Sequence, residues 1–575
     1  MEQRNLLLAI VVSVGILIGF QFLFEKLRPP TPVTPPVATQ TAPAPTTPAT
    51  PAPQTASPGT AAPPTSATAP ASSQTREQAI AQQPRIKIDT PSLHGSINLV
   101  GGRIDDLTLA KYHETVSDKS PEVVLLQPSG TSDAYFADFG WAATSSGVNV
   151  PGPETRWNAS DETLTPSHPV TLTWNNGAGL VFTRTISVDD NYMFSIRDEV
   201  RNTGSSPIKL SPYGLVSRSG NPPVSGYYIL YEGPIGYLDG SVRDIKYSSL
   251  TPGKPVDFAS SGGWLGFTDK YWLTSLIPAQ NEQIKARFTH TVENGHDRYQ
   301  TDFMAPEVSI EPGASTVAAN RFFAGAKELN LLQAYAATDI PLFDYSIDFG
   351  WFWFLTKPIF RILLIFEGVI GNFGLAILLL TLLIKLAFFP LANKSYAAMS
   401  KMKLLQPEMQ KIRERFPDDK ARQQQEIMAM YKKVGANPLA GCLPIVLQIP
   451  VFFSLYKVLF VTIEMRHAPF FGWIHDLSAP DPTSFANLFG LIPFVPPAFL
   501  MIGAWPLIMG VTMFLQQKLN PQPVDPVQAR MFMLLPVVFT YMLSAFPAGL
   551  VIYWAWNNLL SIAQQWAIMH RAGAA

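Results

Sequence analysis

One lysine within a long apolar stretch is the first candidate for chemistry in this sequence. Lys385 lies in the run from Gly371 to Leu391, which is long enough to cross a bilayer as a helix. A lysine near the centre of such a helix costs roughly 2.5 to 3.5 kcal/mol. It therefore needs a partner, a water-filled cavity, or a stem that carries the ammonium to the nearer interface. Thr381, one turn earlier on the same face, extends a polar strip inward and favours the cavity.

Uncharged polar residues accompany this lysine in the other apolar segments. If the helices bundle, their side chains share the inner half of the membrane: Thr381, Gln448, Asn557, Asn558, Gln564 and Gln565. Hydrogen bonds between helices explain some of them, whereas a hydrated cavity open to the cytosol explains the whole set together with the cation. Lys457 lies near the outer end of its segment and is expected to snorkel. No carboxylate lies at membrane depth, which disfavours a proton relay or a cation site.

The sequence offers no pattern of an enzyme, a cofactor site or a metal site. The eight histidines are scattered, and neither H-E-x-x-H nor G-x-S-x-G occurs. The single cysteine, Cys442, excludes an intramolecular disulfide and a cysteine-based metal site. Four tyrosines either line a sugar or peptide cleft or pack in a core: Tyr227, Tyr228, Tyr231 and Tyr237. We therefore predict no catalytic residue, no cofactor and no metal.

Composition divides the first part of the chain into three regions. Residues 1–28 contain an uncharged run of the length of a transmembrane anchor, and residues 29–80 form a linker rich in Pro, Ala and Thr. Residues 81–340 alternate short strand patterns with turn signals, most clearly in the hairpin predicted at 180–200, and this predicts a large antiparallel β-sandwich. Acidic residues outnumber basic ones there, so binding to DNA is not expected.

The second part of the chain is predicted to form a transmembrane domain. Residues 345–368 predict an amphipathic helix in the interface, with Lys357 and Arg361 toward headgroups. Residues 369–575 predict five transmembrane helices, which with the anchor make six. They start with the run that holds Lys385 and continue with segments 439–463, 497–516, 531–546 and 549–569. A basic helical hairpin at 393–437 belongs in the cytoplasm by the positive-inside rule, which also puts both termini there. Methionines along one face of the hairpin are expected to pack its two helices together. The same surface could bind apolar segments or a ribosome.

Several motifs in this order resemble the YidC/Oxa/Alb membrane-insertase family, and the architecture resembles its Gram-negative branch. They are TLLIKLAFFP around Lys385, the hairpin from MSKMKLLQPEM to AMYKK, NPLAGCLPIVLQIPVF, MGVTMFLQQKLNP and FPAGLVIYWAWNNLLSIAQQ. The resemblance covers about residues 349 to 569. It implies a five-helix core with a hydrophilic groove open to the cytoplasm and to lipid.

The resemblance also assigns roles to residues of this groove. Lys385 occupies the position where the family most often has arginine. The positive charge is kept, but the guanidinium group that can donate two parallel hydrogen bonds is lost. The substrate groove that it implies consists of Thr381, Lys385, Gln448, Ile449, Pro450, Tyr553 and Trp554. Within this set Ile449 and Pro450 lie on the substrate slide, and the two aromatic residues face the substrate. The segment from Leu488 to Trp505 is longer than the corresponding segment of the family. The sequence therefore does not define where the fourth transmembrane helix starts.

Three functions are compatible with these patterns. The first is an insertase and chaperone of the bacterial inner membrane that takes nascent membrane proteins into the groove and releases them into lipid, alone or with the Sec translocon. Its other partners would be membrane lipids and the ribosome, reached through the hairpin and the C-terminus. The second is a solute transporter or channel with Lys385 as an anion site, which predicts an inverted repeat that the sequence lacks. The third is a membrane-anchored periplasmic sugar-binding protein.

Overall fold

A computed structural model describes residues 74–145, 147–220, 230–293, 295–417, 419–434, 443–520 and 526–571 of the chain. The predicted N-terminal anchor, nearly all of the predicted linker and Cys442 lie outside these ranges. A short helix, α1 (Arg76–Ala81), precedes a β-domain, and a helical region follows it.

The β-domain consists of two large sheets. The first has the spatial order β14 (Val256–Ser261), β17 (Gln283–Glu293), β18 (His296–Met304), β11 (Ile208–Ser219), β5 (Tyr135–Ala143), β3 (Arg103–His113), β2 (Leu93–Asn98), β1 (Arg85–Asp89) and β7 (Thr163–Leu164), with β4 (Glu122–Leu126) beside β3 and β19 (Val308–Ile310) beside β11. The second has the order β13 (Ser241–Asp244), β12 (Gly233–Leu238), β15 (Trp264–Thr268), β16 (Trp272–Ile277), β20 (Ser315–Ala326), β10 (Met193–Asn202), β9 (Leu180–Val188), β8 (Val170–Asn175) and β6 (Asn158–Ala159). Apart from the parallel pair β1 and β7, the paired strands are antiparallel.

The hairpin predicted at 180–200 is confirmed by β9 and β10. The two strands pair antiparallel, and buried residues alternate with more exposed ones along β9. Phe182 and Ile186 of β9 and Phe194 of β10 are almost fully buried. The alternation follows from the two-residue period of a strand, because only one face of the sheet meets the core between the sheets.

The helical region begins with α2 (Leu329–Thr338). It continues with α3 (Trp353–Ile370), α4 (Phe373–Ala387), α5 (Phe389–Arg415), α6 (Lys420–Val434), α7 (Leu443–Val461), α8 (Ala504–Leu519), α9 (Pro526–Leu543) and α10 (Ala548–Arg571). Judged by length and hydropathy, no single helix in the described ranges could span a membrane, whereas the bent pair α4 and α5 could when taken together.

The helix predicted to run unbroken from 371 to 391 is in fact two helices. α4 ends at Ala387, and α5 leaves it at an angle of 68°. Pro390 explains the break, because proline has no N–H for the helical hydrogen bond and its ring collides with the preceding turn, while it is tolerated in the first turn of a new helix. The hairpin prediction holds: α5 and α6 are joined by a short turn, and the Tyr431 hydroxyl donates to Met409 Sδ at 3.3 Å.

Both cations of α3 contact protein side chains. Lys357 Nζ lies 2.7 Å from Asp344 Oδ2 and 4.1 Å from the ring centre of Tyr345, while Arg361 Nη2 donates to Gln333 Oε1 at 2.8 Å. Gln333 lies on α2, and Asp344 and Tyr345 lie between α2 and α3. The polar side of α3 therefore packs on α2 and the segment that follows it, and the contact of these cations with headgroups stays a prediction.

The loop after α7 also docks on the β-domain. Arg466 Nη2 donates to the backbone oxygen of His113 at 2.7 Å, and Glu464 Oε1 accepts from the backbone N–H of Leu329 at 3.3 Å. Burial raises the pKa of the Glu464 carboxyl to about 7. This carboxyl lies beyond the end of α7, at the contact between the loop and the start of α2.

The raised pKa of Glu464 predicts a pH-dependent stability. Between the ordinary value of 4.5 and about 7, the folded protein binds more protons than the unfolded chain, so the free energy of unfolding falls as pH rises. Glu464→Gln removes the ionisation and should raise the unfolding temperature at pH 8 while changing it little at pH 5. Thermal unfolding of the purified protein in detergent at both pH values measures this. Glu311→Gln, at an exposed site, is the control, and an equal shift of Glu464→Gln at both pH values would contradict the assignment.

Candidate functional site

The Lys385 side chain lies where α4, α5, α7 and α10 meet. Asn372 caps the start of α4, since its Oδ1 accepts from the Leu375 N–H at 3.0 Å, and the break before Pro390 ends the helix. These two signals place Lys385 in the last turn of α4, where the helix dipole favours a cation. Lys385 Nζ donates to Ser561 Oγ at 2.8 Å, and Ser561 Oγ donates in turn to the Asn557 backbone oxygen at 2.7 Å.

A cavity of about 50 Å³ adjoins this lysine. We call it the Lys385 cavity. A water molecule requires roughly 10 to 15 Å³ by this measure, so there is space for a few waters. The wall carries a cation, three hydroxyls and three amides among apolar side chains. Its members come from all four helices and from Phe388 between α4 and α5: Thr381, Ile384, Lys385, Phe388, Leu391, Ala392, Tyr396, Gln448, Val451, Leu455, Tyr553, Asn557 and Gln564.

Four of the predicted groove residues line this cavity: Thr381, Lys385, Gln448 and Tyr553. Thr381 is buried and its hydroxyl donates to the Ile377 backbone oxygen at 2.7 Å, so it presents lone pairs to its surroundings. Gln448 Nε2 donates to Asn557 Oδ1 at 3.3 Å and ties α7 to α10. The predicted polar strip of α4 therefore has a polar counterpart on the facing helices.

The other three predicted groove residues do not line the cavity, and of these Ile449 is exposed whereas Pro450 and Trp554 are half-buried. The Ile449 side chain is 45% exposed, and Pro450 follows it within α7. The ring of Trp554, on α10, stacks on Phe452 of α7, and the two ring centres are 5.2 Å apart. Together they form an apolar flank of α7 and α10 that adjoins the polar cavity.

Two amides of the predicted cluster bond between helices and do not line the cavity. Asn558 Nδ2 donates to Thr512 Oγ1 at 3.4 Å, and Gln565 Nε2 donates to Asn520 Oδ1 at 3.0 Å. Both contacts join α10 to α8 or to the residue that follows it. For these two residues interhelical bonding is the correct alternative.

Lys457 does not snorkel as predicted. It is 8% exposed, and its Nζ lies 2.5 Å from Asp348 Oδ2, in the segment that leads into α3. Asp348 also accepts from the backbone N–H groups of Tyr231 at 2.9 Å and Gly350 at 3.0 Å. Sequence spacing could not reveal this partner, because 109 positions separate the two residues.

Sequence reasoning missed Ser561 and Tyr396, both of which lie at the site. Ser561 contacts the lysine directly, and Tyr396 lines the cavity from α5. A usable signal existed for the serine, because Asn557, Ser561 and Gln564 recur at helical spacing on one face of α10. No comparable signal existed for Tyr396, since its approach depends on the bend between α4 and α5.

The described residues contain no group of three or more His, Cys, Asp or Glu side chains placed to hold a metal. In the β-domain the Tyr231 hydroxyl lies 2.6 Å from the Pro234 oxygen and 2.8 Å from the Ile245 oxygen, so it closes a turn. Tyr227 and Tyr228 lie outside the described ranges. Tyr231 thus favours the packing alternative over a ligand cleft.

Comparison with known proteins places the whole chain among membrane insertases. The family described as YidC periplasmic domain matches residues 85–362, and the family described as 60Kd inner membrane protein matches residues 365–574. A membrane protein insertase YidC of Bradyrhizobium diazoefficiens is 51% identical, over 100% of this chain and 97% of its own length. The corresponding protein of Methylorubrum extorquens is 54% identical over 87% of this chain and 83% of its own length.

Two solved structures are similar at low identity. A crystal structure of an active YidC insertase with its first transmembrane domain resolved gives a TM-score of 0.36 at 18% identity, covering 84% of this chain and 92% of its own. A galactose mutarotase related enzyme from Lactobacillus acidophilus gives a TM-score of 0.30 at 10% identity, covering 42% of this chain and 97% of its own.

Proposed function

The chain belongs to the YidC family of membrane protein insertases, and on that premise we propose that the Lys385 cavity receives the polar part of a membrane protein during insertion. The observation that supports this is the contact of the Lys385 ammonium: its hydrogen-bond partner is the neutral Ser561 hydroxyl, and no carboxylate of the described residues pairs with it. A buried cation without an anion attracts one. The acidic tail of a nascent membrane protein can supply it.

The apolar flank beside the cavity provides the surface for the next step of insertion. Once the tail is held, the apolar segment of the client slides along Ile449, Pro450, Tyr553 and Trp554 into lipid. Burial of about twenty apolar residues in the bilayer supplies the free energy, so no cofactor or nucleotide is required. The protein lowers the barrier for the polar tail, and the process needs no enzymatic step.

The membrane topology is part of this proposal. We infer six spans: the segment within residues 1–28 and the helices α4, α7, α8, α9 and α10. The basic hairpin of α5 and α6 then lies in the cytoplasm with both termini, and residues 81–340 form the periplasmic domain, joined by the linker at 29–80. The interfacial helix at 345–368 and the core at 369–575 complete the chain in the bacterial inner membrane.

The partners follow from the same arrangement. The hairpin at 393–437 and the C-terminus are placed to meet a ribosome, and the Sec translocon is a second expected partner in the membrane. A solute transporter with Lys385 as its anion site is not favoured. The relatives named above are insertases, and the sequence lacks the inverted repeat that such a transporter predicts.

Crosslinking of a stalled nascent chain tests the proposed function. A photoreactive residue in place of Gln448, which lines the cavity, should crosslink to a ribosome-bound client whose first apolar segment has just emerged. The control is the same residue at Val511 of α8, which is 58% exposed and lies away from the cavity. Equal crosslinking at both positions, or none at Gln448, would contradict the proposal.

Ser561 is expected to act as a positioning residue for the lysine. Removing its hydroxyl by Ser561→Ala frees the ammonium from one hydrogen bond, which is worth roughly 1 kcal/mol. We expect insertion of an acidic-tailed client to fall about two- to fivefold in vesicles, and Ser561→Thr to restore it. If Ser561 acts through the lysine, Ser561→Ala should cause no further loss of insertion in a Lys385→Ala background. A full additional loss in that background would show that the serine has a separate role.

A further inference from the structure

The segment between α7 and α8 contains an apolar loop, Phe485–Ile502, that has no counterpart in the rest of the described chain. No Asp, Glu, Lys or Arg occurs between residues 482 and 517. Leu491, Val495 and Phe499 are 84%, 88% and 63% exposed. Exposed large apolar residues of the β-domain, such as Val116 and Val292, are isolated among polar neighbours, whereas the apolar loop presents a continuous surface.

Many backbone N–H groups of the apolar loop are paired within the loop or with its base. N–H groups near its tip donate to acceptors within the loop or at its base: those of Phe489, Gly490, Leu491, Ile492, Phe494 and Leu500. Prolines at 493, 496 and 497 have no N–H to satisfy. The Asn487 side chain accepts from Gly490 and donates to the Phe494 oxygen at 3.2 Å. Water would satisfy such groups in an aqueous loop, but hydrocarbon cannot.

The base of the apolar loop is fixed at the end of α8 that lies toward the β-domain. Asp481 is buried, and its two carboxylate oxygens accept from the Trp473 indole N–H at 3.1 Å and from the backbone N–H of Trp505 at 2.9 Å. The same connecting segment contacts the β-domain through Arg466. The base of the loop is therefore fixed where α8 begins.

From these observations we propose that the apolar loop inserts into the outer leaflet of the bilayer and anchors the outer ends of α7 and α8 there. The proposal rests on the transmembrane arrangement given above. Lipid is the occupant that the chemistry fits, because the surface has no charge to recognise a polar partner, many of its backbone N–H groups are paired within the loop, and it continues directly into α8. The tip, from Leu491 to Phe499, would lie among the acyl chains.

Fluorescence quenching in vesicles tests this placement. In a Cys442→Ala background, Val495→Cys and, as a matched control, Val292→Cys in β17 are labelled with an environment-sensitive fluorophore. We expect the label at 495 to be quenched by acyl-chain spin-labelled lipid and protected from iodide, and the label at 292 to behave in the opposite way. Iodide access at 495 without quenching by lipid would overturn the proposal, as would protection that requires added Sec translocon or that disappears when the protein is diluted in lipid.

A charged variant separates this inference from the insertase function. Leu491→Asp should return the label at 495 to water and make it at least about twice as sensitive to iodide, because an aspartate at acyl depth is unfavourable. Client insertion is measured in the same vesicles. If unsubstituted protein inserts clients while the label at 495 stays in water, only the lipid-anchor inference fails. If it inserts no client although the label lies in lipid, the proposed function fails and the anchor stands.

Discussion

Lys385→Ala is expected to reduce the insertion of clients with acidic N-terminal tails about tenfold or more, and Lys385→Arg to preserve it. A hydrogen bond to a charged group is worth roughly 1.5 to 3 kcal/mol, which corresponds to a factor of about 10 to 100. The ammonium is the one charge on the wall of the Lys385 cavity, so alanine leaves a polar recess that no longer attracts carboxylates. Arginine keeps the charge and adds a planar fork. The measurement is the yield of protease-protected client in reconstituted vesicles.

The client and a second lysine provide the controls for this result. A client whose tail carries Asn and Gln in place of Asp and Glu should insert equally well with either lysine or alanine at position 385. Lys246→Ala, at an exposed site of the β-domain, removes a charge far from the cavity and should leave insertion unchanged. If Lys385→Ala inserts the acidic client at the level of the unsubstituted protein, electrostatic attraction by this lysine is not part of the mechanism.

Local sequence patterns predicted the elements whose causes are local. The alternation at 180–200 indicated the paired strands β9 and β10, because a two-residue period follows from the strand itself. Helical spacing and the break after Phe416 indicated the hairpin of α5 and α6. The polar strip of Thr381 and Lys385 correctly indicated a cavity wall, because residues four apart on a helix share a face.

What the sequence could not predict depends on contacts between distant segments. The bend at Phe388 turns α5 so that Tyr396 reaches the cavity, and apolar composition alone had suggested one straight helix. The start of α8 was placed at 497, seven residues too early, because the apolar loop has the composition of a span. Lys457 and Asp348 meet only when the segment entering α3 lies against α7. Composition reports how apolar a segment is, but tertiary contacts decide where the chain turns.

The ion pair of Lys457 and Asp348 is expected to be the strongest single link between α7 and the segment entering α3. Asp348→Asn keeps an oxygen for one of the two neighbouring N–H groups but leaves the ammonium, in a residue only 8% exposed, without the carboxylate it contacts. Breaking one partner of a buried pair costs about 3 kcal/mol or more. We expect the unfolding temperature of the purified protein in detergent to fall by at least about 5 °C. Insertion of clients should fall with it at 37 °C, because α3 and α7 then separate more readily.

Removing both charges distinguishes the ion pair from a general loss of packing. In Asp348→Asn combined with Lys457→Met, no buried charge is left uncompensated, and methionine fills the space of the lysine stem. We therefore expect the double variant to regain most of the unfolding temperature that Asp348→Asn loses. The coupling energy between the two substitutions is then opposite in sign to the destabilisation caused by each single substitution. Lys209→Met, in an exposed pair with Glu307, should change the unfolding temperature little. If the two substitutions at 348 and 457 simply add, the two charges do not stabilise each other, and other contacts hold the segment entering α3 to α7.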